Sequence, residues 1–181
     1  TEQAVDGSAF ALPAPFSLDG FRDAWSLTDF PRAFTISLLI TAGSVLGTIV
    51  LAAFASYAIS RNWERRLFRY SFFYLLAAMF IPFPVLALAQ IRLTGITNLD
   101  NPAGVTLLHI MFQLSFSVLL FTAFLRSIPM ELEESARIDG ASRWKAMVYI
   151  IIPVAVPGIL SSGIIAFTLS WNEFIYALVF L

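Results

Sequence analysis

The chain has 181 residues, 59% of them hydrophobic and 13% charged, with a mean hydropathy of +0.81 and a net charge of −1. That charge content lies well below the roughly 25% usual in soluble domains and marks an integral membrane protein. With no cysteine and one histidine, disulfide frameworks, thiolate chemistry and Cys/His metal sites are excluded or nearly so, and the near-neutral balance argues against nucleic acid as a partner.

Residues 1–33 read as an external segment. Pro13, Pro15 and Pro31 break it, and Phe16, Phe21, Trp25 and Phe30 alternate with Asp19, Asp23 and Asp29. It lacks the basic stretch and apolar core of a signal peptide. Two readings fit: a short helix over Leu18–Trp25 lying on the membrane surface with its rings at headgroup depth, or an irregular loop.

From 34 to 60 no charge interrupts the chain, which exceeds the roughly 20 residues that a span needs. Gly43 and Gly47, four apart, form a packing face where another helix can approach closely. The run from Arg61 to Arg69 is basic. A second span is expected over 70–91, but Pro82 and Pro84 remove backbone donors inside it, so it is kinked or broken. That break either lines a translocation path or is packed by neighbours. Gln90 and Arg92 lie near its end. The stretch from Gly95 to Pro102 reads as a polar turn. A third span follows over 103–125, carrying His109 and Gln113 four apart on one face; they serve either as interhelical hydrogen-bonding groups or as solute contacts.

The segment 126–146 is too polar to enter a bilayer. Pro129 and then Glu131, Glu133 and Glu134 suit a first helical turn, where carboxylates complement the positive end of the macrodipole. Asp139-Gly140 reads as a stop, because glycine accepts the left-handed conformation that closes a helix, and Ala141-Ser142 opens a second helical run. Gly140 is therefore an elbow between two short helices. A fourth span occupies 147–172, where Pro153, Pro157-Gly158, Ser161-Ser162 and Gly163 suggest a bent, closely packed helix. Asn172 and Glu173 mark its far rim.

The spacing in this loop is specific. Glu134-Ser135-Ala136, three residues, Gly140, nine residues, then Ile150-Ile151-Ile152-Pro153 resembles the Glu-Ala-Ala loop of the permeases of binding-protein-dependent type I ABC importers. Ser135 replaces the usual second Ala and Ile152 the usual Leu. The phrases Arg137–Ser142 and Ser170–Phe174 look most like the carbohydrate-uptake branch, the maltose-permease type. Without the spacing, the same run would read as an amphipathic surface helix with solvated charges.

The resemblance implies an all-α polytopic transmembrane bundle, with a transmembrane domain over 34–181. Four of its six spans would be present, one more preceding Thr1 and another following Leu181. It also implies that Glu134, Ser135, Ala136, Asp139, Gly140, Ile150 and Pro153 couple this chain to cytoplasmic ABC ATPase subunits that hold ATP-Mg. The other implied partners are a second permease subunit, an external solute-binding protein and the lipid bilayer of a bacterial or archaeal inner membrane. Candidate path residues are Pro82, Pro84, His109, Gln113, Asn172 and Glu173, with a sugar as the favoured solute. Amino acids, peptides or polyamines are alternative solutes; a secondary carrier and a structural scaffold are alternatives outside the family.

Charge sets an orientation. Eight of the eleven Lys and Arg residues (Arg61, Arg65, Arg66, Arg69, Arg126, Arg137, Arg143 and Lys145) fall in two loops, which the positive-inside rule places in the cytoplasm. No G-x-x-x-x-G-K-S/T phosphate cradle is present, so the chain is not itself expected to hydrolyse ATP. The expected spans carry no internal acid of the kind that ion-coupled carriers use. Both features point to an ATPase on a partner chain.

Overall fold

The structure, a computed structural model, describes residues 18–180; the first part of the expected external segment, with Pro13, Pro15 and Phe16, lies outside the described residues. Those described form α1 (Asp19–Leu27), α2 (Phe30–Arg61), α3 (Arg66–Met79), α4 (Phe83–Thr97), α5 (Pro102–Ser127), α6 (Glu131–Ile138), α7 (Arg143–Ala146), a π-helical turn (Met147–Ile151), α8 (Ile152–Trp171) and α9 (Ile175–Phe180). Among the described residues, three helices are long and apolar enough to cross a membrane: Phe30–Arg61, Pro102–Ser127 and the continuous run Arg143–Trp171.

The region expected as a second span is two helices. α3 has 14 residues and α4 has 15, so neither crosses a bilayer alone. The break has a local cause. Proline disfavours the helical conformation in the residue before it, here Ile81, and Pro82 itself is extended at ψ 141. The last amides of α3 tighten into i−3 bonds, Phe80 to the Ala77 carbonyl and Ile81 to that of Ala78, and Pro84 follows in the first turn of α4. Of the two backbone readings left open, the broken helix is the one formed. The polar turn is shorter than expected, since α4 continues through Gly95 and ends at Asn98 in the left-handed region, φ 53. Asn101 then caps α5, its side chain accepting from the amides of Ala103 and Gly104 at 2.9 and 3.2 Å.

The chain divides into two compact units, one ending at Leu38 and the other beginning at Leu39. In the first, α1 is exposed along its length, and the Trp25, Phe30 and Phe34 rings follow one another at 4.6 and 5.9 Å. In the second, α5 is the central helix, packed by α3, α8 and α9. Val118 and Phe121 of α5 bury against Ala52 and Ile59 of α2 and Phe72 of α3.

The face that α2 turns inward is mainly small and polar: Thr41, Ser44, Thr48, Ala52 and Ser56 are buried, with the bulkier Ile40 and Ile59 at its two ends. Between helices in lipid, hydrophobicity gives no drive to associate, so close approach of small residues supplies the packing. Gly43 and Gly47 take part. A Cβ on Gly47 would lie 2.5 Å from Ile110 Cδ1, and one on Gly43 would lie 3.1 Å from Thr106 Cγ2. Large apolar side chains such as Leu46, Leu160 and Ile164 stay exposed on the chain by itself, as suits surfaces that meet lipid or further helices.

Candidate functional site

The loop between α5 and α8 is built by three local devices. α6 begins with Glu131, Glu133 and Glu134 in its first turn, where their charge favours the helix. It ends in a Schellman motif, in which the Ala141 amide donates to the Ala136 carbonyl at 2.9 Å and the Gly140 amide to that of Arg137 at 3.1 Å. Gly140 has φ +86, and nothing lies within 4 Å of where a Cβ would project, so the elbow needs glycine for its backbone and not for room. Ser142 caps α7 by accepting from the Lys145 amide at 3.3 Å.

The π turn at Met147–Ile151 then joins α7 to α8. Its wide i−5 bond, Ile152 to the Met147 carbonyl, sits just before Pro153. That proline offers no amide, and its ring must avoid the Tyr149 carbonyl, so the chain widens there.

The loop residues singled out by spacing divide by exposure. Glu134, Ser135, Asp139, Gly140 and Pro153 are exposed, Ile150 is half-buried, and Ala136 is buried. The buried acid of α6 is the neighbouring Glu133. Its Oε2 lies 2.9 Å from Arg61 Nε, and its Oε1 accepts from the Tyr57 hydroxyl at 2.5 Å. Sequence reasoning took Arg61 only as a topology-setting charge and Glu133 only as a first-turn acid, and passed over Tyr57. The available signal was the four-residue spacing of Tyr57 and Arg61, which places both on one face of α2. The two basic loops meet at a further point, where the Arg126 guanidinium lies 4.2 Å from the Trp63 ring, and Trp144 of the second loop stacks on Phe54 of α2 at 5.8 Å. Both loops lie at one end of the bundle.

The candidate path residues do not form one site. Gln113 is buried and donates to Ser170 Oγ at 2.7 Å, and Ser170 shares a hydrogen bond with Ser44 at 2.9 Å, so three long helices are tied by one polar chain. Ser117 and Ser162 make a second tie at 3.1 Å. Buried His109 lies with Nε2 3.7 Å from Glu173 Oε2, beyond hydrogen-bond length. Glu173 itself caps α9, accepting from the Ile175 and Tyr176 amides, both at 2.8 Å. Asn172 is exposed and bonds back to the Thr168 carbonyl of its own helix, and Pro82 is exposed at the α3–α4 break. Ser44 and Ser170 were missed because no sequence spacing connects them.

The family model described as "Binding-protein-dependent transport system inner membrane component" matches residues 43–181. The chain belongs to this family. Among the relatives of this inner membrane component is a diacetylchitobiose uptake system permease of Streptomyces coelicolor, 27% identical over 93% of this chain and 56% of the relative. An alpha-glucoside transport system permease of Rhizobium meliloti is 31% identical over 100% of this chain and 51% of the relative. A melibiose/raffinose/stachyose import permease of Bacillus subtilis is 30% identical over 96% and 63%. The chain thus spans between about half and two-thirds of the length of these relatives. Its family and its three apolar helices make it a multi-pass protein of the cell membrane.

Proposed function

We propose that this chain is a permease subunit of a type I ABC importer whose solute is a sugar. It is not an enzyme: ATP-Mg is bound and hydrolysed on cytoplasmic ATPase subunits, a second permease subunit completes the channel, and an external solute-binding protein delivers the sugar. The observation that carries this reading is the α6–Gly140–α7 elbow, an exposed charged helix held at the same end of the bundle as the other basic loop. The solutes for which these relatives are named, diacetylchitobiose, alpha-glucosides and melibiose/raffinose/stachyose, support the sugar. The amino-acid, peptide and polyamine alternatives have no comparable support.

The mechanism is alternating access. ATP draws the ATPase subunits together, α6 moves with the surface on which it docks, and the flanking helices α5 and α8 carry that motion to the interior. The exposed residues Glu134, Ser135 and Asp139 face the ATPase, Gly140 sets the bend, and Ala136, Ile150 and Pro153 join the elbow to the spans.

Three variants test the docking reading. In the left-handed region a Cβ costs about 1–2 kcal/mol, too little to unfold packed spans, and Asn tolerates that region where Val does not. Gly140→Val and Glu134→Lys are expected to reach the membrane at normal abundance while losing ATPase co-purification and sugar uptake, and Gly140→Asn to keep both. Normal uptake with Gly140→Val and Glu134→Lys would reduce the loop to a solvated surface.

A further inference from the structure

We infer that the buried Arg61–Glu133 pair with Tyr57 is a strut that fastens α6 to the cytoplasmic end of α2, so that a push on α6 moves the first long span as one body with it. The inference rests on the proposed docking of an ATPase on α6. Through the chain itself α6 connects directly only to α5 and, through α7, to α8. α2 is remote in sequence, with Tyr57 and Glu133 76 positions apart. The tie is made entirely by side chains.

Its construction suits force transmission. The Arg61 and Glu133 side chains are only 8% and 10% exposed, and both carboxylate oxygens are engaged, one 2.9 Å from Arg61 and the other by the Tyr57 hydroxyl. Arg61 also reaches the start of the loop, with Nη1 3.5 Å from the Ile128 carbonyl and 3.2 Å from Met130 Sδ. Two charges held out of water cannot drift apart without leaving each unpaired in a medium of low dielectric, so such a contact holds or breaks and does not stretch. Among the described residues, neither Arg61 Nε nor Glu133 Oε2 has a hydrogen-bond partner, so this side of the tie is held by charge at short range, and the directed part is the Tyr57 hydroxyl on Oε1. Other charged groups around it, Glu64, Arg65, Arg137 and Arg143, line a crevice of about 340 Å³ with Tyr57, Arg61 and Glu133, and the exposed arginines there can remain hydrated. Arg61 and Glu133 are positioning residues: they act through α2.

The test uses the assembled complex reconstituted in vesicles. Arg61→Gln, Glu133→Gln and Tyr57→Phe are made singly, together with the exchange of Arg61→Glu with Glu133→Arg. ATPase co-purification, ATP hydrolysis and sugar uptake are measured on each. Arg61→Gln and Glu133→Gln are expected to retain ATPase binding and hydrolysis while sugar moved per ATP falls by at least about tenfold, as expected when a contact that sets geometry is lost. Tyr57→Phe should give a smaller fall in the same ratio, and the exchange should restore part of it; retained ATPase binding and hydrolysis beside a reduced sugar-to-ATP ratio is what a merely structural role would not produce. Should the glutamine variants fail to accumulate, spin labels on otherwise wild-type protein decide. The distance from Glu64 to Ile138 should stay the same between ATP-free and ATP-trapped states while that from Ile138 to Ile96 changes. Unchanged sugar per ATP in both glutamine variants, or a Glu64–Ile138 distance that changes with nucleotide, overturns the strut. If Gly140→Val also transports normally, the docking reading has failed and the strut falls with it; if Gly140→Val uncouples and Arg61→Gln does not, the strut alone has failed.

Discussion

At the scale of single residues, neighbours of the same chemistry hold different positions. Glu133 and Glu134 are adjacent acids of α6, yet the first is buried against Arg61 and the second is exposed, because the 100° step of a helix turns successive side chains to different faces. Gln113 and Asn172 are both amides expected on a solute path, and they part in the same way. Gln113 ties α5 to α8 through Ser170, whereas Asn172 bonds within its own helix and is exposed. Gln113→Ala should therefore lower thermal stability in detergent by about 1 kcal/mol, the scale of an interhelical hydrogen bond in a membrane protein. Asn172→Ala should leave the melting temperature unchanged. Equal melting curves for the two variants would show that the Gln113–Ser170–Ser44 chain contributes nothing to packing.

At the scale of elements, prolines set where helices break and where they widen. Pro82 ends any continuous helix between Arg66 and Thr97, while Pro153 leaves the run Arg143–Trp171 continuous, with the π turn inside it just before the proline. The difference lies in what surrounds each proline. Ile151 is almost fully buried with Leu125, Ile128 and Ala155, and that packing holds the chain through the proline, whereas Ile81 and Pro82 are exposed and nothing comparable holds them. Restoring the amide at 153 should let the wide turn close to an ordinary α-helical one. For Pro153→Ala we expect an amide at 153 that exchanges slowly with deuterium and a rotation of α7 about the helix axis, read as altered cross-linking of Trp144 to Phe54 when both carry cysteine. Rapid exchange at 153 with unaltered cross-linking would show that the π turn is held by packing alone.

At the scale of the whole molecule, charge and tertiary contact agree on one arrangement. The loops holding most of the Lys and Arg meet through Arg61–Glu133 and Arg126–Trp63, at one end of the bundle. Cysteines introduced at Glu64 and Ser142 should react with impermeant thiol reagents from the cytoplasmic face only, and one at Asn98 from the outside only. Labelling of Asn98 and Ser142 from the same face would reject this orientation.

The sequence by itself determined the membrane class, the long apolar runs, an interruption at Pro82 and Pro84, kinked or broken, and the elbow at Gly140. Each of these depends on hydropathy or on the backbone of a single residue type, and such signals need no partner to be read. It also carried the loop spacing that marks the family. Only the tertiary structure decided which of the clustered acids is buried, that Arg61 is a partner of α6 as well as a topology charge, and that Gln113 meets Ser170 and Ser44. Those outcomes depend on the rotation of each helix about its axis and on contacts between positions as far apart as Ser44 and Ser170. Rotation is settled when small residues such as Gly47 let helices close together, and that condition involves the whole bundle at once.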